Sequence, residues 1–196
     1  MADSAQPIRV YVTYEDYLEL PSDGKRYEVI EGELSMNPAP NLDHQRVLRK
    51  LEFTLLEHIE KNHLGELFFA PVDVILSDIN IVQPDLVFVS EEKKSIMLKK
   101  GIFGAPDLAV EILSPGTSRL DRVSKFQAYS RHGVCWYWIV DPDSQSLEEY
   151  QLQGDRYAAG ARMAGNDVFH PGIFPGLEIP LSSIWPAHPA PTNGHF

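Results

Sequence analysis

The sequence predicts an α/β domain: a mixed β-sheet flanked by helices, with an extra antiparallel hairpin. Short segments rich in β-branched residues and bounded by turn formers recur along the chain, at 81–89, 108–113 and 134–140. Amphipathic helical stretches lie between them, at 43–63 and 118–133. The order strand, helix, strand over 108–140 makes a right-handed βαβ crossover between parallel neighbours the natural arrangement. At 196 residues the chain suits one domain with a sizeable core. That domain is expected over 1–185, with a Pro- and Ala-rich tail at 186–196 that frays.

Taken in order, 13–20 reads as a short helix that Thr13 caps, with Asp16 three positions on and Pro21 and Gly24 as its stop. Residues 26–36 alternate in polarity. A continuous strand there puts Glu28 on the more apolar face, whereas a tight turn at Glu31-Gly32 resets that phase. Glu28 is then either a site residue or a strand-end group reaching water. The long helix buries Leu48, Leu51, Leu55 and Ile59, widened by Val47 and Leu56, and is closed by Gly65. His44 lies one turn ahead of Leu48, either as a core-edge histidine or as a group lining a pocket. Residues 68–76 read as a strand, and 91–106 as a flexible or partly helical excursion. In the helix over 118–133, Ser118 is the expected N-cap and Leu120, Val123, Phe126 and Tyr129 the core stripe. Residues 134–140 form the most apolar run and read as a central strand, with Trp136 and Trp138 most simply core. The hairpin is expected from 147–152 and 157–163.

Composition excludes several classes. A net charge of −11 argues against a chain that coats nucleic acid without local basic clusters. Cys135 is the single cysteine, so neither an intrachain disulfide nor a Cys-rich zinc knuckle is available, and a reducing, cytoplasmic setting is the default. Residues 1–10 carry no signal-peptide pattern, and no apolar run approaches a membrane span. Neither a dinucleotide fingerprint, a phosphate-binding loop nor a nucleophile elbow occurs. His58 and His63, five apart on a helix, face different ways and make a poor zinc pair.

The chemistry concentrates in two strands. Asp85 interrupts one apolar segment and Glu111 the other. A buried carboxylate is costly unless something positive meets it, and two on neighbouring strands repel unless a cation lies between them. Carboxylate oxygens with a lysine nearby suit a hard ion such as Mg²⁺ or Mn²⁺, which polarises a phosphodiester. Taken singly, each acid reads equally as a strand-end group bonded to backbone amides. Lys125 lies seven residues beyond Ser118, and its side chain leans back toward the helix N-terminus. It either reaches the end of the Glu111 strand or makes a surface pair with Asp121.

These residues occur within a longer pattern. Tyr27-Glu28-Val29-Ile30-Glu31-Gly32-Glu33-Leu34, His44, Pro84-Asp85, the run 106–115, Asp121-Arg122-Val123-Ser124-Lys125, Tyr129, Gly133-Val134 and 137–142 follow in one order. The pattern resembles the Uma-two family of endonucleases, within the PD-(D/E)XK restriction-endonuclease-like superfamily, over about 13–152. The resemblance implies a restriction-endonuclease-like core, a divalent-metal site and phosphodiester cleavage. By position, Asp85 resembles the motif aspartate, Glu111 the metal-binding glutamate and Glu28 an additional upstream acid. The superfamily's lysine falls two residues after the glutamate, where this chain has Leu113, so the resemblance implies that Lys125 takes that role. The expected protein is a Mg²⁺-dependent endonuclease acting on DNA, with Asp85, Glu111 and Glu28 as metal ligands and Lys125 assisting the water. A catalytically silent scaffold of the same fold is the rival. Arg119, Arg122 and Arg131, doubled in a homodimer, are the basic surface proposed to offset the acidic charge.

Overall fold

The computed structural model describes residues 11–114, 116 and 118–186. The segment 1–10 and the tail from 187 onward lie outside the described residues, as do the readings made on them; Pro186 itself is buried. The elements, in chain order, are α1 (Tyr14–Leu18), β1 (Arg26–Ile30), β2 (Glu33–Asn37), α2 (Leu42–Lys61), β3 (Gly65–Phe69), β4 (Val74–Ser77) and β5 (Asn80–Val82). There follow β6 (Leu86–Ser90), β7 (Met97–Leu98), β8 (Gly101–Phe103), β9 (Leu108–Ile112), α3 (Phe126–His132), β10 (Trp136–Asp141), β11 (Ser146–Gln153) and β12 (Arg156–Ala164). Two short strands, β13 (Val168–Phe169) and β14 (Ile179–Pro180), close the described chain.

The main sheet runs β12-β11-β10-β9-β6-β3. It is mixed: β9 and β10 are parallel, Glu111 facing Ile139, while β6 runs antiparallel to β9 with Leu86 opposite Val110. Helix α2 covers one face through Val47, Leu51, Leu55 and Ile59, which meet Leu86, Leu108, Val110, Ile112 and Trp138. Helix α3 covers the other through Ala128 and Tyr129, which meet Val87, Ala109, Tyr137 and Ile139. The period-two alternation of β9 therefore feeds both layers, with only Glu111 charged among its five buried residues. A second sheet, β2-β1-β5-β4-β8-β7, brings the N-terminal hairpin against this core. The fold is the expected mixed α/β arrangement flanked by helices, and β11 with β12 supplies the extra antiparallel hairpin.

Several boundaries differ from the sequence reading. Of the two alternatives for 26–36 the tight turn is the one formed, and the residues make the β1–β2 hairpin, because Glu31 and Gly32 both take positive φ, 52° and 76°, as a tight twisted turn requires. The stretch 68–76 is two strands in two sheets, interrupted at Pro71, which has no N–H to continue the ladder. Residues 91–106 hold a 3-10 turn, Glu91–Ile96, and then the β7–β8 hairpin, instead of a loose excursion. Helix α2 ends at Asn62, not Gly65, which opens β3. Ser118 is already helical and so is no N-cap. The segment Leu120–Lys125 winds as a π-helix, and its wider turn rotates Asp121 and Lys125 inward while Val123 turns outward, 48% exposed. Helix α1 is opened by the capping box that Thr13 and Asp16 foretell.

Leu51 is fully buried between α2 and the main sheet. Leu51→Ala is expected to lower stability by about 2–5 kcal/mol, measured by urea unfolding, with no change in the oligomeric state seen by size-exclusion chromatography.

Candidate active site

Continuing the β6–β9 register one step beyond the Leu86–Val110 pair sets Asp85 opposite Glu111, on the face that α3 covers. Both are buried, as are Glu28, Asp121 and Lys125. The sequence thus places two acids at neighbouring strand ends, and the tertiary structure adds two more around one ammonium. Lys125 Nζ lies 2.9 Å from Glu28 Oε1, 3.0 Å from Glu111 Oε1 and 3.4 Å from Asp121 Oδ1. The pairing with Asp121 considered for the helix surface exists, but it is internal. Lys125 reaches inward because the π-helical turn carries it, and the Tyr137 hydroxyl holds that turn by donating to the Asp121 carbonyl at 3.0 Å.

Glu28 enters from β1 and is fully buried. Its Oε1 also accepts from the Gln83 N–H at 2.6 Å, and its Oε2 accepts from Asn37 Nδ2 at 2.5 Å. It is therefore held from three elements and does not reach water. Glu111 Oε1 accepts from both Lys125 and the Tyr129 hydroxyl, the latter at 2.7 Å. Glu111 Oε2 makes no hydrogen bond among the described residues. Asp85 is organised separately. Its Oδ2 lies 3.0 Å from His44 Nε2 and accepts from the Ile112 N–H at 2.9 Å, while its Oδ1 has only Arg26 Nη1 at 3.5 Å. His44 is thus a pocket-lining group, placed by an N-terminal turn whose cap is Asn41.

The two central acids differ in proton affinity. Burial pushes Glu111 well above the ordinary carboxylate range; Lys125 lowers it in part, while the charges of Asp121, Asp85 and Glu28 add to the rise. Burial would also raise Asp85, but the hydrogen bond and charge of His44, the Ile112 amide and Arg26 bring it below its usual value. Burial disfavours the Lys125 ammonium, yet the surrounding carboxylates of Glu111, Glu28 and Asp121 hold its pKa well above normal. Three acids meeting one ammonium leave that cluster net negative.

A cavity of about 20 Å³ opens among Arg26, His44, Asp85, Glu111, Asp121 and Lys125, room for about one ion or water. No group of three or more metal-ligating side chains converges among the described residues. Asp85 and Glu111 line the cavity with carboxylates, a donor type that fits a hard divalent ion, and among the described residues Asp85 Oδ1 and Glu111 Oε2 are the oxygens less engaged by hydrogen bonds. Glu28 is a poor ligand by comparison, since both its oxygens are already engaged. Mg²⁺ in particular retains several waters and needs only one or two carboxylates.

Sequence reasoning missed the part played by Arg26, Asn37, Gln83 and Tyr129. Asp121, Lys125 and Tyr129 recur at intervals of four, a polar stripe on a helix flanked by core strands, and that was the available signal. The contacts of Arg26 and Gln83 span more than fifty residues and had none, and that of Asn37 crosses the hairpin whose turn the sequence left open.

A mixed sheet with acids at adjoining strand ends and a lysine from the following helix defines a restriction-endonuclease-like protein of the nuclease class. The family profile of Uma2, described as "Putative restriction endonuclease", matches residues 14–182, and the chain belongs to that family. Its fold is similar to the crystal structure titled "a putative nuclease belonging to DUF820 from Anabaena variabilis ATCC 29413". The TM-score is 0.75 at 20% identity, over 89% of this chain and 97% of that one. No curated protein matches the chain.

Removing the buried ammonium strands Glu28, Glu111 and Asp121 against one another. Lys125→Met is expected to cost about 3–5 kcal/mol, read from guanidinium unfolding in EDTA. A change below about 1 kcal/mol would show that the cluster is not an obligatory ion pair.

Proposed function

We propose that the protein is a divalent-metal-dependent endonuclease that hydrolyses phosphodiester bonds in DNA, acting as one domain over residues 1–185. The observation that carries this reading is the pairing of Asp85 and Glu111 at the mouth of a cavity sized for one ion, each with one oxygen unsaturated. Mg²⁺ or Mn²⁺ held there polarises the phosphate and acidifies a water when bound. Asp85 and Glu111 are its ligands in this proposal, and Glu28 acts chiefly by anchoring Lys125.

The chain's own groups supply the rest. Lys125 is a fixed ammonium 3.0 Å from Glu111 Oε1, able to orient an attacking water and to offset charge growing on the phosphate. The Tyr129 hydroxyl stays neutral, because burial and the neighbouring Glu111 carboxylate raise its pKa well above normal, and it fixes the Glu111 rotamer. His44 and the Ile112 amide hold Asp85 Oδ2, leaving Oδ1 outside both bonds in a residue that lines the cavity. Arg26 lines the same cavity and is placed to meet a phosphate oxygen.

A second reading, a catalytically silent scaffold of the same fold, has one observation in its favour: the ammonium of Lys125 already sits among Glu28, Glu111 and Asp121. Nicking of supercoiled plasmid decides between them. The nuclease converts plasmid to open circle with Mg²⁺ or Mn²⁺ and stops in EDTA. Asp85→Asn and Glu111→Gln are each expected to lower the rate by about a hundredfold or more. Absence of nicking under every metal, with heat-stable wild-type protein, favours the scaffold.

A further inference from the structure

We infer that the exposed face of α2 over residues 42–53, together with Phe69 at the end of β3, holds unpaired nucleotides of the strand being cut. The inference rests on the nuclease reading above and adds where the strand lies and in what form. Leu42, Arg46, Arg49 and Phe53 are spaced four, three and four apart and so form one stripe, about 16 Å long. Three of the chain's large apolar side chains stand open here: Leu42 is 70% exposed, Phe53 69% and Phe69 56%. A groove of about 500 Å³ lies between Leu42, Arg46, Arg49 and Phe69, with Glu52 on its rim.

The two elements that wall the groove, α2 and β3, are each bonded to Asp85 or its neighbour. His44, in the first turn of α2, reaches Asp85. Phe69 pairs with Leu86, the residue after Asp85, and the adjoining Ala70 N–H donates to the Asp85 carbonyl at 3.1 Å. A strand leaving the cavity therefore passes directly onto this face.

Its chemistry is that of a single-strand track. Exposed aromatic rings stack on base faces, and arginines alternating with them meet the backbone phosphates. Base faces are hidden in a duplex, so the rings select unpaired nucleotides. Arg49 forms no ion pair among the described residues. Arg46 pairs with Asp43 at 2.7 Å in a half-exposed contact, weak enough for a phosphate to displace. By contrast Arg122 is held by Glu148, whose side chain is largely buried. A second copy of the chain centred on this face would set Arg46 and Arg49 against themselves across a twofold axis.

The test is fluorescence anisotropy of a labelled single-stranded oligonucleotide and a duplex of equal length, in EDTA so that no cleavage intervenes. The full chain is expected to bind the single strand more tightly. Phe53→Ala and Phe69→Ala are each expected to weaken that binding about tenfold. Arg49→Ala is expected to lower the slope of log affinity against log salt by about 0.7. The Lys99→Ala, Lys100→Ala double variant, on a separate groove, is expected to leave the single-strand preference unchanged. All these residues are exposed, and thermal unfolding checks that the variants fold. Wild-type affinity in both phenylalanine variants overturns the inference, as does equal binding of duplex and single strand. A change in oligomeric state rather than in affinity overturns it too. Cleavage with unaltered binding in the variants rejects the track alone; binding as expected without cleavage rejects the nuclease reading alone.

Discussion

One buried ammonium holds the centre of this protein together. Lys125 joins Glu28 of the N-terminal hairpin, Glu111 of the main sheet and Asp121 of its own π-helical turn. Carboxylates taken out of water without such a partner cost several kcal/mol each, so the hairpin, strand and helix cannot pack at this point independently. The π-helical winding follows from the same demand. Regular winding carries the Leu120, Val123, Phe126 stripe inward, whereas the wider turn exposes Val123 and buries Asp121 and Lys125. Local geometry has yielded to the requirement that buried charges meet.

Around that centre, two carboxylates at adjoining strand ends have been given opposite environments. Asp85 is surrounded by donors, from His44, the Ile112 amide and Arg26, and is held ionised. Glu111 shares Lys125 with two other acids, and burial favours its protonated form. Such divergence between neighbouring acids is a recurrent mark of a working site.

The acidic character of the whole chain and a nucleic-acid substrate are reconciled by distribution. Net charge sets the long-range field, but contact depends on which basic groups are already spoken for. Of the basic groups singled out in the sequence, Arg122 is tied to the largely buried Glu148, whereas Arg131 makes an exposed pair with Glu31 and Arg119 stands exposed. The cations on the open face of α2 share a groove with the exposed Phe69. Neutralisation on one surface and availability on another follow from tertiary packing alone.

The sequence by itself determined the α/β class, the long helix with its Leu48, Leu51, Leu55, Ile59 stripe, and the parallel pair formed by β9 and β10. These rest on periodicity and on short chain separations, which composition and spacing encode directly. It also marked Asp85 and Glu111 as anomalies, since a charge in an apolar strand stands out wherever the strand lies. Tertiary structure alone decided the state of Glu28, which local pattern left between site and surface and which Gln83, Asn37 and Lys125 bury completely. It decided equally that Pro71 splits one apolar run between two sheets, and that the Lys125–Asp121 pair faces inward. Those outcomes depend on groups brought together from distant parts of the chain, where desolvation and charge pairing override the preferences of each segment.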